Sequence, residues 1–515
     1  MAIGRSGLPD GLCRAPERHF GSALGLALLL GAVPAAKGDD VEEMKQTLGQ
    51  MEQTIADLKA RIAALEAEKK TDAAPMPRAT TPPPRKTARQ TPPTAPAPQP
   101  TPASVEVASA PPAGAAGSPA AVRDDNGFQD LQQAAPRPDN RPLDPKLKGF
   151  VQIPGTDTLF KLGGSARVDA IVDAANNGNP NLFIPSTIPV GNQAGYGGDE
   201  RSTLYAKGTR LSLEIRRPAE SLGNLRIYNE NDFFGDSSSN TMSFRVRHFY
   251  GQAWNLLIGQ TFSGFMNPDA WPDVLEYQGP AGILNRRQTQ IRYTQPLWEN
   301  ERHGEGHAYV SLEYPESDIL ESTLPANSEV RSTTPDLVLG GRWEGDVGHL
   351  QLAGIGRSLG FESDTGPEGN TIGWGASLSG QWHLTESDDL SAQLAYGEGI
   401  ARYVNDFNGT NLDAAWIGHD LEAIPIFAPM IGYTHRWSDH FRSTLTASWV
   451  MADLPPSVSP LTPETTASFG ANLIWQPTKA FRMGLEYLYG TKETYDGTDG
   501  DAHRLNFVLR YDLVK

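Results

Sequence analysis

The sequence runs to 515 residues with 41 Pro, 52 Gly and only 8% aromatic residues, which describes an uneven chain and not one compact globule. Its single cysteine, Cys13, excludes disulfides and Cys-based metal or catalytic centres from everything downstream. The formal net charge of −17, from 44 basic and 61 acidic residues, taken alone favours cationic over anionic partners.

At the front, Arg5, Arg14 and Arg18 precede the apolar run "FGSALGLALLLGAV", and the small residues of "PAAKG" follow it. That order of basic, apolar and small segments is read as a secretory signal over residues 1–35, cut near Ala35. The run is too short for a spanning helix. Cys13 lies before it and leaves with the signal, so it is no lipidated cysteine, which suits export through an oxidising periplasm. No later apolar stretch is long enough for a transmembrane helix, so any membrane residence must come from strands.

Residues 40–70 are expected to form an α-helical coiled coil in the periplasm. Val41, Leu48, Ile55 and Ile62 take one core position and Met44, Met51, Leu58 and Leu65 the other. Seams spaced three and four apart need partner helices to bury them, so an oligomer follows, although these heptads do not fix its number. From 71 to 145 the chain becomes "TPPPRKTARQTPPTAPAPQPTPAS" and the like, with almost no large apolar residue before Phe128. Such a tract cannot offset its ordering entropy and is read as a disordered Pro-rich linker, at roughly 3.1 Å per residue when extended. Its few Lys and Arg are scattered singly among prolines, which speaks against nucleic acid as a partner.

From 146 to 515 the pattern changes to Gly-rich alternating segments. Sixteen candidate strands fall near 159–173, 209–217, 222–230, 242–254, 255–261, 284–295, 306–315, 336–344, 348–358, 372–384, 389–397, 427–437, 440–450, 467–476, 480–490 and 503–513. Strict alternation gives a strand two unlike faces, which suits either a soluble sandwich or a membrane barrel.

Three features select the barrel. Trp374, Ala376, Leu378, Gly380, Trp382 and Leu384 put aromatics at the ends of an apolar face, as an interfacial girdle does. The polar faces carry charge that a packed sandwich core does not tolerate, as in Arg167, Asp169 and Asp173 or Arg210, Glu214 and Arg216. Short links such as "QPTKA" and "RWSDHF" alternate with long ones such as the stretch from Asn176 to Gly208. The expected fold is therefore an all-β transmembrane antiparallel β-barrel of sixteen strands in the outer membrane of a Gram-negative bacterium. In its last strand Leu505 to Leu513 face lipid, while Arg504, Asn506, Arg510 and Asp512 face inward. Val514 and Lys515 follow Leu513 where such strands usually end on an aromatic.

The segments "IPGTDTLFKLGGSARVDAIVD", "FIPSTIPV", "FRVRHFYGQ" with "LIGQTFSGFMNPDAWPD", and "RRQTQIRYTQP" together resemble the DcaP-like outer-membrane porins, the dicarboxylic-acid porin family. The heptads and the linker resemble that family's N-terminal region as well. The resemblance implies a homotrimer of sixteen-stranded barrels, each with its own pore, passing small anionic solutes such as dicarboxylates.

A barrel of this strand number leaves an aqueous channel whose selectivity is set by charge at its constriction. Arginine suits carboxylates, because its planar fork donates two parallel hydrogen bonds and it stays charged. The candidate pore-lining residues are Arg245 and Arg247, two apart on one polar face with no acid nearby in sequence, together with Arg167, Arg286 and Arg292. Residues 262–283 are Pro- and Gly-rich and long enough to fold inward as a constriction loop. Asp269, Asp273 and Glu276 on that loop are placed to set acid opposite the arginines. Selectivity follows the local potential at the narrowest point, so the net charge of −17 does not decide it.

No P-loop, HExxH, GxSxG or dinucleotide fingerprint occurs, and no enzyme activity, cofactor or metal is expected. His303 and His307 have i, i+4 spacing, but Gly304 and Gly306 argue for a turn and not the helix a metal pair needs. His248, beside Tyr250 on the apolar parity, reads as an interfacial residue. The expected partners beyond the solutes are outer-membrane lipid and lipopolysaccharide. The rival reading is a structural anchor, whose coiled coil contacts peptidoglycan or another envelope component.

Overall fold

The computed structural model describes residues 147–513 apart from 192, 220–222, 238, 301–302, 364–365 and 457. The signal, the coiled coil and nearly all of the linker lie outside the described residues. Sixteen strands follow in order. They are β1 (Leu159–Asp173), β2 (Arg201–Tyr205 and Arg210–Pro218), β3 (Asn224–Asp232), β4 (Arg245–Ala253), β5 (Leu256–Phe262), β6 (Arg287–Asn300), β7 (Gly304–Glu313) and β8 (Asp336–Gly345). The second half holds β9 (Gly348–Ser363), β10 (Gly369–His383), β11 (Asp388–Glu398), β12 (Pro425–Arg436), β13 (Phe441–Ala452), β14 (Pro463–Thr478), β15 (Phe481–Thr494) and β16 (Asp499–Asp512).

Each strand pairs antiparallel with the next, and β16 pairs back onto β1 from Ser165↔Asp512 to Asp173↔Arg504. Closure leaves the barrel wall without an unpaired edge, the condition for crossing a membrane with strands. At one end the connections are turns of two to five residues, such as 254–255, 346–347 and 479–480. At the other lie long loops: L1 (174–200), L2 (233–244), L3 (263–286), L4 (314–335) and L6 (399–424).

The run from Asn176 to Gly208 is shorter as a loop than its sequence suggests. Arg201–Tyr205 pairs with Asp169 to Asp173, and Arg210–Pro218 pairs with the start of β1, so β2 is one strand broken at 206–209.

The exposed faces are apolar. Leu162, Leu204, Leu352 and Ile372 stand out from the wall, as do Leu505, Phe507 and Tyr511 of the last strand. On the same strand Arg504, Asn506, Arg510 and Asp512 are buried inside. Trp254, Trp298, Trp437, Trp475 and Tyr511 belt the short-turn end, while Phe244, Tyr314, Trp374 and Tyr396 belt the long-loop end. Leu505→Arg should cost about 2–4 kcal/mol in a refolding titration into lipid vesicles, the cost of a cation near mid-bilayer on the lipid face. A loss well under about 1 kcal/mol would put that face inside.

One local reading is overturned by register. A bulge in the β3–β4 pairing, between Glu230 and Asn231, turns His248 inward. It is fully buried, with its ring 4.5 Å from Phe262 and Nδ1 3.0 Å from the Thr261 hydroxyl, and is no interfacial residue.

The interior is not an open tube. Phe262, Phe265 and Met266 pack with Ile400, Tyr403, Val404 and Phe407 of L6 against Val338, Ile355, Ala395 and Ile426 of the wall. L3 and L6 therefore fill part of the lumen with an apolar core.

Candidate functional site

L3 lies inside the barrel because the wall supplies acceptors for its backbone. Leu275 N and Glu276 N donate to the Glu486 carboxylate at 3.0 and 2.5 Å. Ala281 N and Gly282 N donate to the Ser468 and Ser448 hydroxyls at 3.0 and 3.2 Å, and Leu284 N to Gln393 Oε1 at 3.1 Å. Asn472 Nδ2 reaches the Asp273 carbonyl at 2.7 Å. Irregular backbone at membrane depth is tolerated only where such partners exist. Gly282 sits so close to β12 and β13 that a Cβ there would be 2.6 Å from Pro429 O and 2.7 Å from Trp449 O.

Between L3 and the wall is a cavity of about 100 Å³, partly open to solvent. Seven arginines line it: Arg167 of β1, Arg210 of β2, Arg245 and Arg247 of β4, Arg287 of β6, Arg482 of β15 and Arg510 of β16. The lining carboxylates are two, Asp273 and Glu276 of L3. Trp271, Pro272, Val274, Tyr277 and Pro280 give the loop side an apolar face.

Carboxylates on the strands restrain most of these cations. Arg167 Nη2 is 2.6 Å from Asp169, Arg245 2.6 Å from Asp232, and Arg247 2.7 Å from Glu230 and 3.1 Å from Asp232. Arg510 pairs with Asp512 at 2.7 Å. The acids serving Arg245 and Arg247 come from the neighbouring strand β3, which is why none is near them in sequence. Arg287 differs: among the described residues no hydrogen bond or ion pair reaches its guanidinium, and its charged surroundings include Arg245, Arg247 and Asp232.

Of the five arginines expected to line the pore, the structure brings Arg167, Arg245 and Arg247 into the cavity. Arg286 points elsewhere, to Glu316 of L4 and Asn408 of L6, both at 2.9 Å. Arg292 lies outside the lining as well, donating to Gln290 Oε1 at 2.9 Å and Phe262 O at 2.6 Å. Of the three loop acids, Asp273 and Glu276 line the cavity, whereas Asp269 turns to Arg342 on β8 at 2.9 Å.

Asp273 is itself held by Arg442 at 2.5 Å and Glu276 by Arg504 at 3.4 Å. Arg210, Arg287, Arg482 and Arg510 were missed as lining residues. Arg210 and Arg510 were marked by their polar parity. Arg287 shares parity with the outward Ile291, and enters the cavity only because it stands at the end of its strand.

L1 folds in beside L3: Phe183 N donates to Glu276 at 3.2 Å, and Ser186 N donates to both Asp406 oxygens at 3.1 Å. Asp406, from L6, also accepts from the Thr466 hydroxyl at 2.6 Å. Burial pushes this carboxyl up to about 6, against the opposing pull of Thr466, Ser186 and Lys492. An acid whose folded pKa exceeds its unfolded value binds its proton more tightly when folded. Its contribution is therefore fully present below the unfolded value and declines as pH rises through about 6. The protection factors of Ser186 and Thr187, which are corrected for intrinsic exchange, should be higher at pH 4.5 than at pH 7.5, by a margin of up to about 2 kcal/mol. Asp406→Asn should flatten that dependence, and an unchanged slope in the variant would remove Asp406 as its source.

The sequence model of the DcaP outer membrane protein family matches residues 150–513. Among solved structures, the outer membrane channel DcaP of Acinetobacter baumannii is similar with a TM-score of 0.60 at 22% identity, covering 70% of this chain and 99% of that one. The anion-selective porin from Comamonas acidovorans gives a TM-score of 0.44 at 10% identity, over 69% of this chain and 100% of that one. A loop-deletion mutant of OmpT from Vibrio cholerae gives 0.41 at 11%, over 69% and 99%. No curated protein matches the sequence.

Proposed function

The chain belongs to the DcaP outer membrane protein family, which makes it an outer-membrane porin, and from that premise we propose that its cavity is an eyelet for passive, anion-selective diffusion of small solutes such as dicarboxylates. The observation that carries the proposal is the lining of seven arginines against two carboxylates, with Arg287, among the described residues, in no ion pair. A solute with two carboxylates meets cations on several strands, and each can be engaged by a planar fork. The chain's charge of −17 does not oppose this, because ions respond to the potential at the narrowest point.

Liposome swelling tests it: succinate should enter reconstituted vesicles several times faster than an uncharged or dicationic solute of similar size. Equal rates would refute anion selectivity. No swelling with any solute would favour the envelope anchor instead.

The working unit is a homotrimer with its N-terminal coiled coil in the periplasm, its outer faces in lipid and lipopolysaccharide, and peptidoglycan within reach of the coiled coil. Support comes from the heptads at 41–65 and from the outward faces of β2 and β3, which among the described residues carry no Trp or Tyr. Asn229 and Asn231 also stand on the outer face of β3, on the parity of the exposed Ile227, where lipid offers an amide nothing and a second subunit offers contacts.

A further inference from the structure

We infer that Tyr277, carried into the lumen by L3, is the positioning residue of the eyelet: it fixes the guanidiniums of Arg167, Arg210 and Arg247 in one array and thereby sets how firmly a passing dianion is held. The inference rests on the anion-selective reading of this cavity.

Three guanidiniums from three strands gather on the one ring. Their carbons lie 5.2 Å (Arg167), 5.3 Å (Arg210) and 5.7 Å (Arg247) from the Tyr277 centroid, within the range where the ring quadrupole attracts a cation. The ring is fixed by stacking on Phe234 of L2, with centroids 4.4 Å apart and planes inclined by 21°. Gly208, in the break of β2, leaves the space this assembly needs. A Cβ there would lie 2.7 Å from Arg167 Cδ and 3.2 Å from Tyr277 Cδ2. The interruption of β2 thus has a use: it admits an arginine and a tyrosine at the point where the wall would otherwise crowd them.

The hydroxyl is fully engaged with protein. It donates to Asp232 Oδ2 at 2.7 Å and accepts from Arg247 Nη1 at 3.1 Å and Arg210 Nε at 3.3 Å. A phenol has one donor and two acceptor sites, so none remains for a solute. Tyr277 therefore acts through the arginines and through Asp232, the carboxylate that Arg245 and Arg247 share. Like-charged guanidiniums this close repel one another, and a ring with an oxygen at its edge is a neutral means of holding them together without cancelling their charge toward the pore.

The test uses the purified full-length protein in planar bilayers, with succinate as the blocking solute. Tyr277→Phe keeps the ring and loses the three hydroxyl contacts. It should weaken block on the order of tenfold while preserving anion preference. Tyr277→Leu loses the ring as well, and should also lower the anion-to-cation permeability ratio. In an Arg210→Ala, Arg247→Ala background, Tyr277→Phe should change block by less than about twofold, because the two arginines its hydroxyl engages are gone and only its bond to Asp232 remains.

If the parent channel is blocked by succinate and Tyr277→Phe matches it, the inference fails and the selectivity reading stands. An undiminished effect in the double-alanine background would mean that Tyr277 contacts the solute itself, which also overturns positioning. A parent channel with neither anion preference nor block defeats the selectivity reading, and the role of Tyr277 with it. Should Tyr277→Leu fail to assemble, Tyr277→Phe alone decides.

Discussion

Replacing Arg245, Arg247 and Arg287 together by alanine should turn the pore from anion-preferring to cation-preferring, with the permeability ratio falling on the order of tenfold or more. The change removes three of the seven cations on the cavity wall and uncovers the acids that two of them neutralise. Asp232 loses both Arg245 at 2.6 Å and Arg247 at 3.1 Å, while Glu230 loses Arg247 and keeps Arg210 at 3.7 Å and the Tyr228 hydroxyl at 3.0 Å. Each unit charge a few ångströms from the path is worth about 4 kcal/mol at an effective dielectric of about 20, so a swing of this size dominates the local field. Stranding a buried carboxylate also costs about 3–5 kcal/mol, so the variant should unfold earlier on heating, although a closed barrel with sixteen paired strands should still assemble. Arg286→Ala is the matched control, since its guanidinium serves Glu316 and Asn408 away from the cavity. Reversal potentials under a salt gradient read both, and a triple variant that keeps the parent selectivity would remove these arginines from the path.

Glu486→Leu should raise single-channel conductance several-fold and weaken discrimination between succinate and neutral solutes of similar size. Its carboxylate is the acceptor for Leu275 N and Glu276 N, and for Asn472 Nδ2 at 3.2 Å. Leucine leaves two buried amides unsatisfied, at about 1–3 kcal/mol each, and leaves that segment to its remaining contacts, chiefly Asn472 to the Asp273 carbonyl, Asp273 to Arg442 and Tyr277 to Asp232. The segment bearing Asp273, Glu276 and Tyr277 should then leave its position, and the eyelet should widen. Glu486→Gln retains one acceptor oxygen and should fall between. Unchanged conductance in Glu486→Leu would show that the contacts of Asp273, Glu276 and Tyr277 suffice to hold the loop.

The barrel was largely written in alternation, and β1 shows why: its period of two holds over most of Leu159 to Asp173, and those are the bounds the strand takes. The turn at 479–480 was equally plain, since Pro and Lys interrupt two apolar runs. Parity failed where geometry departs from a regular ladder. The bulge opposite His248 reversed the parity of the rest of β4, turning His248, Tyr250 and Gln252 inward, and the break in β2 hid the pairing of "RSTLY" within what reads as loop.

The site was legible in kind but not in membership. Polar-face arginines and an inward Pro- and Gly-rich loop are sequence features, and Arg167, Arg245, Arg247, Asp273 and Glu276 came from them. Which of the others converge depends on barrel height and on loop position, neither of which has a local code. Arg286 and Arg287 are adjacent in sequence, yet one joins L4 and L6 while the other lines the cavity. Tyr277 carried no signal at all, because an aromatic in a loop looks the same whether it meets lipid, core or a ring of arginines.

Local arginine excess, and not the net charge of −17, is expected to decide what passes. The reversal potential of the reconstituted protein under a potassium chloride gradient, before and after adding succinate, decides between the two. A potential of anion-selective sign, with conductance falling as succinate is added, is the predicted result. A cation-selective sign with no effect of succinate would contradict it, and would return these arginines to the role of counter-ions for the carboxylates beside them.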